Sequence, residues 1–284
     1  MMIGFISDIP VLAGAFIKSL LYTALQLVSY VGGFILVGFI IGALENKRNE
    51  WLRKSVGEKG IYSTAWIGVP IHELGHAIMC CLFGHKVEEM RLVQFGAPDG
   101  TMGYVNHSYD PHNLFHRIGL FFIGIAPIIM GVVVVTTLLY FLQPNTYGLW
   151  TNEIHGANEF SAVWTSSLAL LTSLFDASNW KDPFFYLFLV LAISVTSHMS
   201  LSKPDITGAT SGLISMYVIM TIFNLVTLSS NGGDMNLTEL FVNQYNVFVL
   251  SLSCIVLLFA GISSFLAFLL FLIRRPKKLK ANPL

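Results

Sequence analysis

The chain alternates between long apolar runs and short polar interruptions. A helix needs about 20 apolar residues to cross the hydrocarbon core of a bilayer. The first apolar stretch, from about Pro10 to Leu44, exceeds that length and is interrupted by Lys18. It predicts an interfacial or tilted lead-in and then a span near Leu27–Leu44, with Gly32-Gly33 as a place for a kink. Residues 45–59 (ENKRNEWLRKSVGEK) read as the first aqueous segment. Further spans are predicted at about Ile61–Phe83, Ile118–Leu142, Pro183–Met199, Ala209–Leu228 and Val247–Ile273. Asp182-Pro183 reads as a helix N-cap with proline at the first helical position. Between the second and third spans, VEEMRLVQF and TMGYVNHSY predict two strands joined by a turn at Pro98-Asp99-Gly100. The stretch Ser161–Phe175 is apolar enough to lie on or dip into the membrane. The expected fold is an all-α polytopic membrane protein with about six transmembrane helices and a small membrane-associated β-hairpin.

Composition agrees with the pattern. Of 284 residues, 54% are hydrophobic and 11% charged, against about 25% charged in a typical soluble domain. Such a chain cannot clothe itself with polar groups in water, so the lipid bilayer is its expected partner. The formal net charge is zero, which points away from nucleic acid. The opening MMIGFISDIP has no basic residue ahead of its apolar stretch and reads as a retained segment rather than a cleaved signal. Cys80, Cys81 and Cys254 lie within or beside apolar runs, with no metal-knuckle spacing. The tail RRPKKLK carries five basic residues, and the positive-inside rule places it in the cytoplasm. Counting back over six spans puts the hairpin on that same side and residues 45–59, also with five basic residues, on the other.

The chemistry concentrates at His72-Glu73-Leu74-Gly75-His76, an H-E-x-x-H sequence inside a predicted span. Positions i and i+4 share one helical face, so both imidazoles can reach one metal ion. Glu73 is rotated by about 100° and can reach a water on that metal instead. Zinc lowers the pKa of bound water, and a carboxylate can then take the proton. Ionisable groups at membrane depth need partners and mark function more often than packing. A catalytic zinc site usually takes three protein ligands. Among the downstream acids, only Asp205 lies between two apolar spans with no long polar segment around it. Ser202-Lys203-Pro204-Asp205 also reads as a capping box, which gives Asp205 a structural alternative.

These residues resemble the site-2 protease family, zinc metalloproteases that cut peptide bonds within membranes. The resemblance rests on HELGH in a span, the strand-like Val87–Tyr109 segment, and the later Pro204-Asp205-Ile206-Thr207-Gly208-Ala209-Thr210-Ser211-Gly212. It covers about Ile61–Leu228. It implies zinc held by His72, His76 and Asp205, with Glu73 activating water. It divides the chain into an N-terminal membrane segment and linker (1–60), a metalloprotease-like core (61–230) and a C-terminal helix with basic tail (231–284). The family's N-x-x-P…L-D-G pattern is not kept: Ser197, His198 and Pro204 precede the aspartate and Ile206 follows it. His198 could take the oxyanion-stabilising role or be satisfied locally.

An intramembrane protease must unwind its substrate, and an exposed strand edge can pair with the extended backbone. Gly103–Ser108 is the candidate edge, with Tyr104, Asn106 and His107 as candidate substrate-binding residues. The expected substrate is a membrane protein or membrane peptide, and the small size leaves room for a partner that presents it. Gly124, Pro127 and Gly131 allow close helix approach or a kink. His112 and His116 share the i, i+4 spacing, as a second metal pair or, more simply, a solvated helix face. Asn106-His107-Ser108 and Asn236-Leu237-Thr238 match the glycosylation pattern, which matters only in a lumenal loop. Alternatives are an inactive scaffold or helix-binding protein of the same fold, a metal transporter, and another zinc protease class whose third ligand is Glu153 or Glu159.

Overall fold

The computed structural model describes residues 2–98, 100–155, 161–231 and 244–274. The basic tail beyond Arg274, the Asn236 glycosylation pattern, Asp99 of the predicted turn, and Glu159 lie outside them. In chain order the elements are α1 (Met2–Val56), α2 (Glu58–Leu82), β1 (Lys86–Arg91), β2 (Tyr104–Ser108), α3 (Leu114–Gly124) and α4 (Ala126–Leu142). They continue with α5 (Pro144–His155), α6 (Ser161–Leu174), a 3-10 turn (Asn179–Lys181), α7 (Pro183–Thr196), α8 (Lys203–Asn231) and α9 (Gln244–Ile273).

Among the described residues, four helices are long and apolar enough to cross a membrane: α1, α2, α8 and α9. A fifth crossing is made if α3 and α4 count as one span bent by 58°. Six were expected. The difference is α7, whose 14 residues reach only about 21 Å against a hydrocarbon core of about 30 Å. Its start is as predicted: Asp182 Oδ1 accepts from the Phe184 amide at 2.9 Å, with Pro183 at the first helical position. The outer surface carries large apolar side chains, such as Phe141 and Trp164, 71% and 72% exposed. A lipid environment accommodates them and water does not.

The bend has a sequence cause. Pro127 lacks an N–H and its ring clashes with the carbonyl four residues back. That carbonyl belongs to Ile123, and the helix breaks at Ile125 between α3 and α4.

α1 corrects two expectations. It is one helix through Gly32-Gly33, and it continues past Leu44 to Val56. The segment read as aqueous is partly buried: Arg48 is 2% exposed and the Glu45 side chain 10%. The chain turns only at Gly57, with φ +74°, where a residue without Cβ is favoured.

α9 runs parallel to α1. The Tyr245 hydroxyl donates to the Tyr30 carbonyl at 2.8 Å, the Ser264 hydroxyl to the Leu44 carbonyl at 3.0 Å, and the Trp51 and Phe268 rings stand 5.0 Å apart. Lys47, Arg48, Arg53, Lys54 and Lys59 therefore sit at the end of the bundle where α9 leads into the basic tail. Residues 47–59 and the end of α9 share one end of the bundle. The hairpin lies at the opposite end of the 25-residue α2.

The hairpin is shorter than predicted. β1 and β2 pair antiparallel from Lys86↔Ser108 to Arg91↔Tyr104, with a bulge between Val87 and Glu89. The connection is longer and carries the predicted turn at its tip, where the Gly100 amide donates to the Ala97 carbonyl at 2.9 Å. It is anchored by Phe95, whose ring packs on Tyr62 and Trp66 of α2 at 4.6 and 4.7 Å.

Candidate metal centre

α2 carries His72, Glu73 and His76, and two other chain ends orient the imidazoles. His72 Nδ1 donates to the His198 carbonyl at 2.8 Å, and His76 Nδ1 donates to the Ile123 carbonyl at 2.8 Å. Both acceptors are orphan carbonyls: Ile123 at the break before Pro127, and His198 just past the end of α7. Each fixes its histidine as the Nδ1–H tautomer with the Nε2 lone pair free. The C-terminal ends of α3 and α7 also bring partial negative charge toward the same place, which favours a cation.

The Nε2 atoms of His72 and His76 lie 3.2 Å apart, and Asp205 Oδ1 lies 3.4 Å from His76 Nε2. All three candidate ligand atoms fall within 4.8 Å of one another. With both neutral rings in the Nδ1–H form, no proton stands between these lone pairs. Three electron-rich atoms held face to face match the demand of a bound cation. Among the described residues, this is the group of His, Cys, Asp and Glu arranged to hold a metal ion.

The capping box expected at Asp205 forms, and it leaves one carboxylate oxygen for the metal reading. Oδ2 accepts from the Ser202 amide at 2.7 Å, while Ser202 Oγ accepts from the Asp205 amide at 3.3 Å, a reciprocal capping box. Oδ1 is left to face His76. α8 reaches this position by packing closely on α3. A Cβ on Gly124 would fall 2.7 Å from the Ala209 Cβ, and one on Gly212 would fall 2.7 Å from the Phe121 Cβ.

Glu73 is buried, 7% exposed, and rests against the start of β2. A Cβ on Gly103 would lie 2.8 Å from Glu73 Cγ and 2.9 Å from Oε1. Glu73 thus borders the three ligand atoms without joining them. Together they line a cavity of about 420 Å³, closed on another side by Tyr104, Asn106 and His107 of β2. A second cavity of about 430 Å³ between α1 and α8 is apolar and contains none of these groups.

The predicted strand residues differ in what they do. The Tyr104 hydroxyl donates to Glu89, and Asn106 is exposed at the rim. His107 pairs with His85, Nδ1 to Nδ1 at 3.0 Å, while His85 Nε2 donates to the His116 carbonyl at 2.9 Å. Burial holds both His85 and His107 below the usual imidazole range. His116 Nδ1 accepts from the Asp110 amide at 3.1 Å, so the His112/His116 pair forms no second metal group among the described residues. Glu153 lies on α5, away from the cluster. The three cysteines are free.

His198 is corrected as a substrate-binding residue. Its ring is buried, 4% exposed, with Nε2 2.9 Å from Thr64 Oγ1 and Nδ1 3.9 Å from Glu45 Oε1. The helix end turns this ring away from the cavity and presents the backbone carbonyl to His72 instead. Sequence reasoning missed the Ile123 carbonyl and His85, and it placed Gly103 on the candidate strand edge without its contact to Glu73. Only the first had a signal, the proline four residues later.

No family model matches the chain, and no curated protein or solved structure matches it either.

Proposed function

We propose that the protein is an intramembrane zinc metalloendopeptidase, similar to the site-2 proteases, which hydrolyses a peptide bond of a membrane-protein or membrane-peptide substrate. The observation that carries this reading is the convergence of two tautomer-fixed Nε2 lone pairs and one carboxylate oxygen beside a buried Glu73. Zinc–nitrogen bonds of about 2.1 Å in tetrahedral geometry separate two ligand atoms by about 3.4 Å. The 3.2 and 3.4 Å separations here fit that requirement. Zinc bound by His72, His76 and Asp205 would supply a Lewis acid for the scissile carbonyl and for water.

Glu73 is the general base: a carboxylate oxygen takes one proton from the attacking water and delivers it to the departing amine. β2 offers a strand edge on which the substrate is held extended. His76 lies six residues, about 9 Å, before the end of α2 at Leu82, and Asp205 stands in the first turn of α8. The bond cut therefore lies toward the hairpin end of the substrate segment. A presenting partner is compatible with so small an enzyme. The end of the bundle that holds residues 47–59 and the end of α9 is cytoplasmic by the positive-inside rule.

The test is Glu73→Gln against wild type, with metal content measured beside cleavage of a membrane substrate. The expected outcome is about one zinc per chain in both, and cleavage lower by about 10²- to 10⁴-fold in the variant. Full cleavage by Glu73→Gln would overturn the mechanism. Zinc-free wild type would favour the scaffold reading.

A further inference from the structure

His107 enters the cavity from β2 with one ring nitrogen already committed. His85 Nε2 faces the His116 carbonyl at 2.9 Å, and a carbonyl can only accept, so His85 Nε2 carries the hydrogen. In the neutral ring His85 Nδ1 then has the lone pair. His107 Nδ1, 3.0 Å away, must be the donor. The same rule fixes neutral His107 with its lone pair on Nε2, its remaining polar atom, on a ring that lines the cavity beside His76 and Asp205. Tyr109 stacks on His85 at 5.0 Å and 17°, which keeps the relay in place. A backbone carbonyl thus sets the chemistry of a ring two hydrogen bonds away.

Resting on the hydrolytic reading, we propose that His107 is a substrate-binding residue whose Nε2 accepts a backbone N–H of an extended peptide beside the metal centre, and that His85 is the positioning residue behind it. The ligand class is a peptide with a free amide N–H at one subsite. N-alkylation at that subsite, including by proline, abolishes the contact.

The tautomer is tested first, in metal-free protein labelled with ¹⁵N-histidine, by long-range ¹H–¹⁵N correlation. His107 is expected as Nδ1–H with an unprotonated Nε2, and His85→Phe is expected to release that preference. An Nε2–H tautomer for His107 overturns the proposal. Recognition is tested on zinc-loaded protein with tripeptide hydroxamates N-methylated at one amide at a time. In wild type, one position is expected to lose about threefold to tenfold in affinity, the worth of one hydrogen bond. His107→Asn keeps a donor for His85 but has no acceptor at the Nε2 position, so that selective loss is expected to vanish while zinc content stays at wild-type level. Equal binding of every analogue by wild type overturns this inference alone. Failure of all hydroxamates to bind zinc-loaded wild type overturns the hydrolytic reading and this inference with it.

Discussion

Two buried polar clusters flank the middle of α2, and they are built on opposite rules. On one side, Glu45, Arg48, Thr64 and His198 bring together groups of opposite charge and complementary hydrogen-bonding capacity, with Glu45 Oε2 lacking a hydrogen-bond partner among the described residues. Arg48 lies 3.9 Å from Glu45 and 2.9 Å from Asn49 Oδ1, and the His198 ring stands between Thr64 and Glu45. Opposite charges and complementary hydrogen-bonding groups face each other. On the other side, His72, His76 and Asp205 turn lone pairs toward one another, with each imidazole N–H already donated elsewhere. Burial is common to both clusters. What separates packing from a ligand site is the direction of the lone pairs, and a backbone carbonyl sets that direction.

The comparison can be broken most directly through metal content. His76→Ala is expected to reduce bound zinc from about one per chain to near none, whereas Thr64→Val, on the other side of α2, keeps it. Equal zinc loss in both variants would mean that the clusters are not separate. Arg48→Met should destabilise the protein by about 3–5 kcal/mol, because it leaves Glu45 buried and unpaired. The paired change Glu45→Gln with Arg48→Met should restore most of that, as read by thermal unfolding in detergent, with zinc content unchanged throughout. Gly103→Ala pushes a methyl group against Glu73 and should lower turnover by about 100-fold with normal zinc content. The smallest effect belongs to the hairpin. Burial lowers the His85 pKa in the folded protein, so its contribution is fully present above pH of about 6.5 and is lost as pH falls through the lowered folded value. The neighbours that set this titration are His107, His116 and Tyr109. Amide protection factors in Lys86–Arg91, corrected for the intrinsic slowing of exchange in acid, should fall on acidification, and protection that is flat from pH 7.5 to 5 would dissociate His85 from hairpin stability.

The meeting of His72, His76 and Asp205 was legible because helical spacing is a local property. HELGH puts two imidazoles on one face wherever the helix goes, and the capping box gives Asp205 a helix start. The rest depended on tertiary placement. Composition made residues 45–59 look aqueous, yet Glu45 and Arg48 are buried because they pair with each other and with His198. The apolar run after Pro183 looked like a span, but its helix ends at Thr196 so that a carbonyl can reach His72. The ring of His198 points away from the cavity because its chain direction is set by that helix end, which no spacing rule reports. Pro127 was visible as a kink, and its second effect, freeing the Ile123 carbonyl for His76, appears only once α2 lies beside α3.

The divided carboxylate of Asp205 has a consequence for how the proposed metal would be loaded. One oxygen closes the first turn of α8 on Ser202, and the other faces His76, so one side chain serves both the helix start and the proposed ligand set. On the proposed zinc reading, the Ser202 bond still closes the first turn of α8 when the metal is removed. The protein is then expected to survive stripping with a chelator and to recharge as an intact scaffold, unlike small zinc domains whose chain collapses when the metal leaves.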